Sequence, residues 1–258
     1  MDVKNKVVVV TGGARGIGAA LCRQLAAAGA KVMVSDVDET TSAKVAEEIG
    51  GASCGCDVSR EDEVVRLVAA TEKAFGPVDI FVSNAGITVK GGEDTIDGDW
   101  QRLWDVNVMS RIFAARAVVP GMLERGEGYL IHTASAAGLL TEIGSAAYSV
   151  TKHADVALAE WLSVQHGREG IRVSCVCPLG VETDMLDPDD PIHQFLQISS
   201  ISADQAATAI MQGIESEKFL ILPHPQVEEF YQMKSEDPDR WIRGMQRLKQ
   251  KLARRRAA

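Results

Sequence analysis

Val7–Val10 is apolar at every position, with no polar residue alternating through it. A strand exposed on one face would alternate, so the run predicts a strand covered on both faces, spanning 6–11 with its flanks. Six further strand-like runs follow at 31–36, 51–57, 78–83, 128–134, 171–177 and 219–222. Between them lie longer, alanine-rich, helix-like segments at 16–29, 39–49, 60–75, 97–125, 145–168 and 203–216. Regular alternation of this kind implies right-handed βαβ crossovers. The expected fold class is therefore α/β: a doubly wound parallel sheet of about seven strands, with helices on both faces.

No linker, repeat or low-complexity tract breaks the rhythm, so a single domain is expected over 1–222. Two segments depart from it. Residues 184–200 fall outside the strand–helix rhythm, and 223–258 read as a helical extension of the same domain. In the extension, "DPDRWIRGMQRLKQKL" predicts a helix capped by Asp237, with Pro238 in its first turn. Trp241, Met245, Leu248 and Leu252 share one face of that helix.

Composition narrows the function classes. The 258 residues are 46% hydrophobic and 24% charged, as expected of a soluble globular protein. A net charge of −9 argues against a nucleic-acid partner, since phosphate backbones demand clustered Lys and Arg. The basic run Arg254–Arg256 reads as a solvated tail. Neither a leader nor an apolar stretch of bilayer-spanning length is expected, so no membrane partner is expected. The cysteines (22, 54, 56, 175 and 177) lack zinc-type spacing, and the histidines (132, 153, 166, 193 and 224) form no cluster. No metal is expected, and a reducing cytoplasm is the expected compartment.

The candidate chemistry begins at "TGGARGIG", residues 11–18, between the first strand and the first helix. Gly12, Gly16 and Gly18 permit a tight turn and close backbone approach, while free amides at the helix start attract a pyrophosphate. Arg15 and Ile17 complete the cofactor-binding loop. The second strand ends on Asp36, whose carboxylate can accept both adenosine ribose hydroxyls and would repel a 2′-phosphate. Its alternative is a helix cap, a role that Asp38 fits better. NAD is the cofactor expected, although Arg15 could meet a 2′-phosphate. Asp57 and Val58 at the third strand end, and Asn84, Ala85 and Gly86 at the fourth, join the cofactor set; Asn-Ala-Gly is also simply a good turn.

Tyr148 and Lys152 lie four residues apart in "SAAYSVTKHAD", on one helical face. A half-buried tyrosine with a lysine stem beside it is an ordinary packing motif. Ser135, at the end of the fifth strand, gives the pair another meaning. Alcohol oxidation needs removal of the hydroxyl proton, and free tyrosine titrates near ~10, too high for a base at neutral pH. A nearby ammonium lowers that value, and a serine hydroxyl can hold the substrate oxygen.

With "TGGARGIG", Asp57, "NAG" at 84–86, Asn107 in "WDVNVMS", Ser135, "YSVTK", Pro178 and Thr183 in order, the chain resembles the short-chain dehydrogenase/reductase family to about residue 222. The resemblance implies a Rossmann fold and a tetrad. Tyr148 would be the acid/base; Lys152 would lower its pKa and bind nicotinamide ribose; Ser135 would position substrate; Asn107 would support a water-linked relay. It also implies that Pro178, Val181 and Thr183 meet the cofactor. Leu179 stands where the family usually has glycine beside the nicotinamide.

The implied activity is hydride transfer between NAD and a small-molecule secondary alcohol or ketone. Leu140, Ile143, Leu179, Met185, Leu186 and Phe195 are the expected substrate pocket, with Ile192 and Leu196 also in a substrate lid expected over 184–200. That composition suits a hydrophobic or aromatic substrate, although the same residues would serve as packing. His193 is a polar contact or simply exposed. Two alternatives stand beside this reading: an NADPH-type 3-oxoacyl or other biosynthetic ketoreductase, and a non-catalytic dinucleotide-binding regulator. The family habit also implies a homo-oligomer, tetramer or dimer. The C-terminal helix is accordingly expected on a neighbouring subunit, with packing on its own subunit as the plainer alternative.

Overall fold

The structure, a computed structural model, describes residues 1–186 and 200–256. Its strands are β1 (Val7–Thr11), β2 (Lys31–Asp36), β3 (Ala52–Gly55), β4 (Ile80–Ser83), β5 (Gly128–Thr133), β6 (Ile171–Val176) and β7 (Leu220–Ile221). They form one sheet in the order β3-β2-β1-β4-β5-β6-β7, and every pairing is parallel. From β1 the chain steps outward to β3, then returns to the other side of β1 as β4. The crossovers diverge there, and a crevice opens at the carboxyl ends of the strands. Register brings those ends level: Thr11 pairs with Ser35, and Val10 with Val82.

The helices are α1 (Gly16–Ala27), α2 (Glu39–Ile49), α3 (Glu61–Phe75), α4 (Asp97–Trp104), α5 (Ser110–Arg125), α6 (Ala137–Leu140), α7 (Ala146–His166), α8 (Ala203–Ser216), α9 (Gln226–Glu236) and α10 (Pro238–Arg256). All five residues of β1 are buried, as expected of a strand covered on both sides. Leu21 and Leu25 of α1, Val45 of α2, and Ile210 and Ile214 of α8 pack with Val8, Val10 and Ile131 on one face. On the other, Leu67 of α3, Met122 of α5 and Leu162 of α7 pack with Val9, Phe81 and Leu130.

Local signals set several boundaries. The Asp38 carboxylate accepts the Thr41 N–H at 3.0 Å and caps α2, which stops at Gly50 in the left-handed region, φ 65°. Ser202 and Gln205 close a reciprocal capping box at the start of α8.

Residues 97–125 run as one helical stretch of 29 residues, α4 and α5 being joined by a π-helical turn at Asp105–Met109. Its most apolar window has a mean hydropathy of 1.2, so by length and composition it could cross a bilayer. That corrects the expectation that no stretch reaches such a length. In this fold its apolar side lies on the sheet, with Leu103, Val108, Ala114, Val118 and Met122 buried.

Helix α6 was not expected, and α9 was expected only as an unspecified part of the helical extension. The first is a single turn, too short to carry a periodic signal, and Ala136 N–H fastens it to Pro178 O at 2.7 Å. The second, "QVEEFYQMKSE", buries only Val227 fully, so its apolar face is thin. Lys234 donates to Leu139 O and docks α9 on α6. Asp237 then caps α10, accepting Arg240 N–H at 2.8 Å.

The apolar stripe of the C-terminal helix packs on its own chain. The Trp241 ring lies 6.2 Å from that of Phe230, and Leu252 is buried. The reason is α9: by docking on α6 it carries α10 back across the substrate end of the sheet.

Candidate active site

At the switch between β1 and β4 lies a cleft of about 510 Å³. Its floor explains the glycine loop. Gly12 has φ 63°, and a Cβ there would stand 2.9 Å from Ala85 Cα; on Gly18 it would stand 2.1 Å from Gly12 O. Gly16, φ 53°, lies under the Thr183 side chain. Helix α1 therefore starts with its amides facing an unobstructed trough, where a pyrophosphate fits. Asn84 holds the loop, donating from Nδ2 to Thr11 O at 3.0 Å and Gly12 O at 3.2 Å. Ile17, Val58, Ala85, Gly86, Pro178 and Val181 also line the cleft.

Asp36 is positioned by backbone amides: Oδ2 accepts Ala14 N–H at 3.1 Å and Oδ1 accepts Asp38 N–H at 3.1 Å. Each oxygen keeps a lone pair for ribose hydroxyls. Arg15 lines the cleft at its exposed rim and pairs with Asp38 at 3.2 Å and Asp184 at 3.5 Å. Asp57 uses Oδ1 on the Ser59 amide and hydroxyl, at 3.0 and 2.7 Å.

The expected tetrad gathers at the far end. Ser135 and Tyr148 line the cleft together with Lys152. Burial raises the Tyr148 phenol above its usual value, and a hydrogen bond with Ser135 works against that rise. This departs from the phenol depressed by its lysine that was expected. Lys152 Nζ lies 5.7 Å from the ring centroid and donates to Thr133 O at 2.9 Å. Burial first, then the Arg111 charge, bring the Lys152 ammonium down to about 8.

Asn107 sits in the π-turn, fully buried. Its Oδ1 accepts Ile87 N–H, and its Nδ2 donates to Ile87 O, both at 2.9 Å, and to Thr151 Oγ1 at 3.1 Å. It thus clamps the 84–87 loop to α7.

The expected substrate residues divide. Leu140, Ile143 and Leu179 line an apolar cavity of about 430 Å³ beyond Ser135, whose far wall is Phe230, Met233, Trp241, Met245 and Leu248. Met185 and Leu186 line the dinucleotide cleft instead. Ile192, His193, Phe195 and Leu196 lie outside the described residues.

Several side chains here had escaped sequence reasoning. His224 is buried, accepts Leu179 N–H on Nδ1 at 3.1 Å, and donates from Nε2 to Gly180 O at 2.9 Å. Its signal was a histidine between two prolines in "LPHPQ". Arg111, His132 and Asp155 form a buried polar cluster behind Lys152. Asp155 lies seven residues after Tyr148, on the same face of α7, and that was the readable signal. Among the described residues, no His/Cys/Asp/Glu group suits a metal ion.

A glycine-floored trough at the sheet switch, ending at a serine, a tyrosine and a lysine, is the site of a dinucleotide-dependent oxidoreductase. The chain belongs to the short-chain dehydrogenase family, whose members bind a nicotinamide dinucleotide: the family model described as short chain dehydrogenase matches residues 6–192. Zerumbone synthase of Zingiber zerumbet is 33% identical over 241 residues, covering 86% of this chain and 89% of the relative. The 1-deoxy-11-beta-hydroxypentalenate dehydrogenase of Streptomyces exfoliatus is 33% identical over 230 residues, covering 86% and 84%. A solved short chain dehydrogenase/reductase from Burkholderia phymatum, in complex with NAD, superposes with a TM-score of 0.85 at 29% identity, covering 93% and 96%.

Proposed function

We propose that the protein transfers hydride between NAD(H) and a bulky hydrophobic secondary alcohol or its ketone. One observation carries this reading. The apolar cavity and the dinucleotide cleft meet at Ser135, Glu142 and Leu179. A carbinol carbon held there has the nicotinamide side behind it and about 430 Å³ of largely apolar space for its body. Terpenoid-sized skeletons fit that description, in keeping with relatives named for zerumbone and (+)-borneol.

When bound, NAD⁺ supplies the hydride acceptor. The chain's residues handle the oxygen and its proton. Ser135 donates a hydrogen bond to the substrate oxygen. Tyr148 takes the hydroxyl proton as phenolate in oxidation, and returns it as phenol in reduction. The Lys152 ammonium stabilises the phenolate, and Asn107 steadies the loop beneath them. Gly12–Gly18 and the start of α1 hold the pyrophosphate; Asp36 holds the adenosine ribose and disfavours a 2′-phosphate. The Arg15 pairing with Asp38 and Asp184 supports NAD over NADP.

The wider reading is a cytoplasmic homo-oligomer, dimer or tetramer, with a small-molecule substrate and no nucleic-acid or membrane partner. Val150, Trp161 and Val164 support the oligomer: all three are exposed on one face of α7.

The test is reduction of NAD⁺, then NADP⁺, with secondary alcohols graded from four-carbon to bicyclic and steroid size. Rising kcat/KM up to terpenoid size, with NAD⁺ preferred at least about tenfold, is the expected result. Absence of turnover across the panel, or preference for NADP⁺, would overturn the reading.

A further inference from the structure

Behind the Tyr148–Lys152 pair lies a buried ionic group that the mechanism above does not use. Asp155, Arg111, His132 and Lys152 are exposed by 0%, 1%, 1% and 3%. The Asp155 Oδ2 atom lies 3.2 Å from Arg111 Nε and 3.8 Å from Lys152 Nζ, and Oδ1 lies 2.9 Å from His132 Nδ1. Both cations also converge on one carbonyl, Thr133 O, with Lys152 at 2.9 Å and Arg111 NH2 at 3.4 Å.

Two cations sharing one carbonyl repel each other, and in a buried site that repulsion is poorly screened. Among the described residues, the only carboxylate touching both is Asp155. Burial alone would lift its carboxyl, but Arg111, the His132 hydrogen bond and Lys152 outweigh that and hold it at about 2. It is therefore ionised at any working pH and can only accept, so the hydrogen between it and His132 belongs to Nδ1. Arg111 is fixed in turn by Val106 O and Ser110 Oγ, each at 2.8 Å.

We propose that Asp155 is a positioning residue for proton transfer: clamped by Arg111 and His132, its carboxylate keeps the Lys152 ammonium charged and seated beside Tyr148. This rests on reading Tyr148 and Lys152 as the proton-transfer pair. The ionisable groups facing Lys152 are Tyr148 and Asp155 of α7, Arg111 of α5, and the Cys175 and Cys177 thiols at the end of β6, with His132 of β5 on the far side of Asp155. Among these, Arg111 disfavours the ammonium, while Asp155 and the two cysteines favour it. Removing Asp155 or Arg111 should therefore move Lys152 in opposite directions.

The first arm uses cofactor-free protein carrying [ε-15N]lysine, with the Lys152 resonance assigned by its loss in Lys152→Met. Titration is expected to centre near pH 8 in the wild type. It should centre lower in Asp155→Asn by about one unit or more, and higher in Arg111→Met. Arg111→Met leaves a neutral Lys152–Asp155 pair, so it keeps the test alive should Asp155→Asn fail to fold. An unmoved Lys152 in either folded variant, or a shift of the wrong sign, overturns the proposal.

The second arm is ketone reduction by NADH against pH. Reduction needs charged Lys152, so the rate falls as pH rises through its pKa. In Asp155→Asn that fall should come about one unit earlier, with kcat reduced about threefold at pH 7.5 and KM for the ketone within about twofold. A raised KM with an unshifted profile would mean simple structural damage and would overturn the proposal. If the wild type turns over nothing, the proposed function fails, while the lysine titration still decides the role of Asp155.

Discussion

The Leu179 N–H donates to Nδ1 of His224 at 3.1 Å, across 45 positions of sequence. Nε2 of the same ring meets Gly180 O at 2.9 Å, so one nitrogen accepts, the other donates, and the ring must be neutral. Leu179 lines both the dinucleotide cleft and the apolar cavity. The histidine thus steadies the wall between cofactor and substrate.

Protonating His224 would replace that acceptor with a second donor. Burial lowers its pKa from the usual 6.5, so the unfolded chain takes up the proton first as pH falls. Its contribution to stability should be complete above about pH 6.5 and be lost as pH drops through the lower folded-state value. In His224→Ala, Gly180 O keeps the Ile201 N–H at 3.1 Å, but the Leu179 N–H loses its partner. We expect a cost of about 1–3 kcal/mol in urea unfolding at pH 7.5 and a flatter acid limb. Identical acid limbs in the two proteins would refute the clamp.

Tyr148→Phe should reduce alcohol oxidation about 10²–10⁴-fold and leave NADH affinity within about twofold, as measured by fluorescence titration. The phenol lines the cleft beside Ser135 and Lys152, where it is placed to carry the proton. A variant retaining a tenth of the wild-type kcat would remove Tyr148 from the chemistry.

Asp36→Ala should lower kcat/KM with NAD⁺ and raise it with NADP⁺, narrowing the preference about tenfold or more. The loss of ribose hydrogen bonds and of carboxylate–phosphate repulsion acts in the same direction. An unchanged ratio would place cofactor choice elsewhere, with Arg15 the next residue to replace.

Trp241→Ala should raise KM for bulky alcohols at least about fivefold while sparing small ones, because the indole walls only the outer cavity. Light scattering should find the oligomer unchanged, since the stripe bearing Trp241 packs on its own chain. A smaller species in solution would restore the intersubunit alternative.

The strands and the dinucleotide trough were legible in the sequence because their causes are local. Four consecutive valines leave no face for water, and the glycines of 12–18 sit where a Cβ would strike Ala85 or Gly12. Tyr148 and Lys152 could be paired from helical spacing alone, and Asp38 identified as a cap from its place before α2. What lay beyond reach depends on contacts between distant segments. Only docking α9 on α6 brings Trp241 over the substrate cavity, and only folding sets Arg111 against Asp155, 44 positions away. The phenol expected to be lowered is raised because burial, absent from a linear sequence, dominates its environment. Backbone preference and face periodicity act over a few residues. Desolvation and long-range charge pairing exist only once the chain has closed on itself.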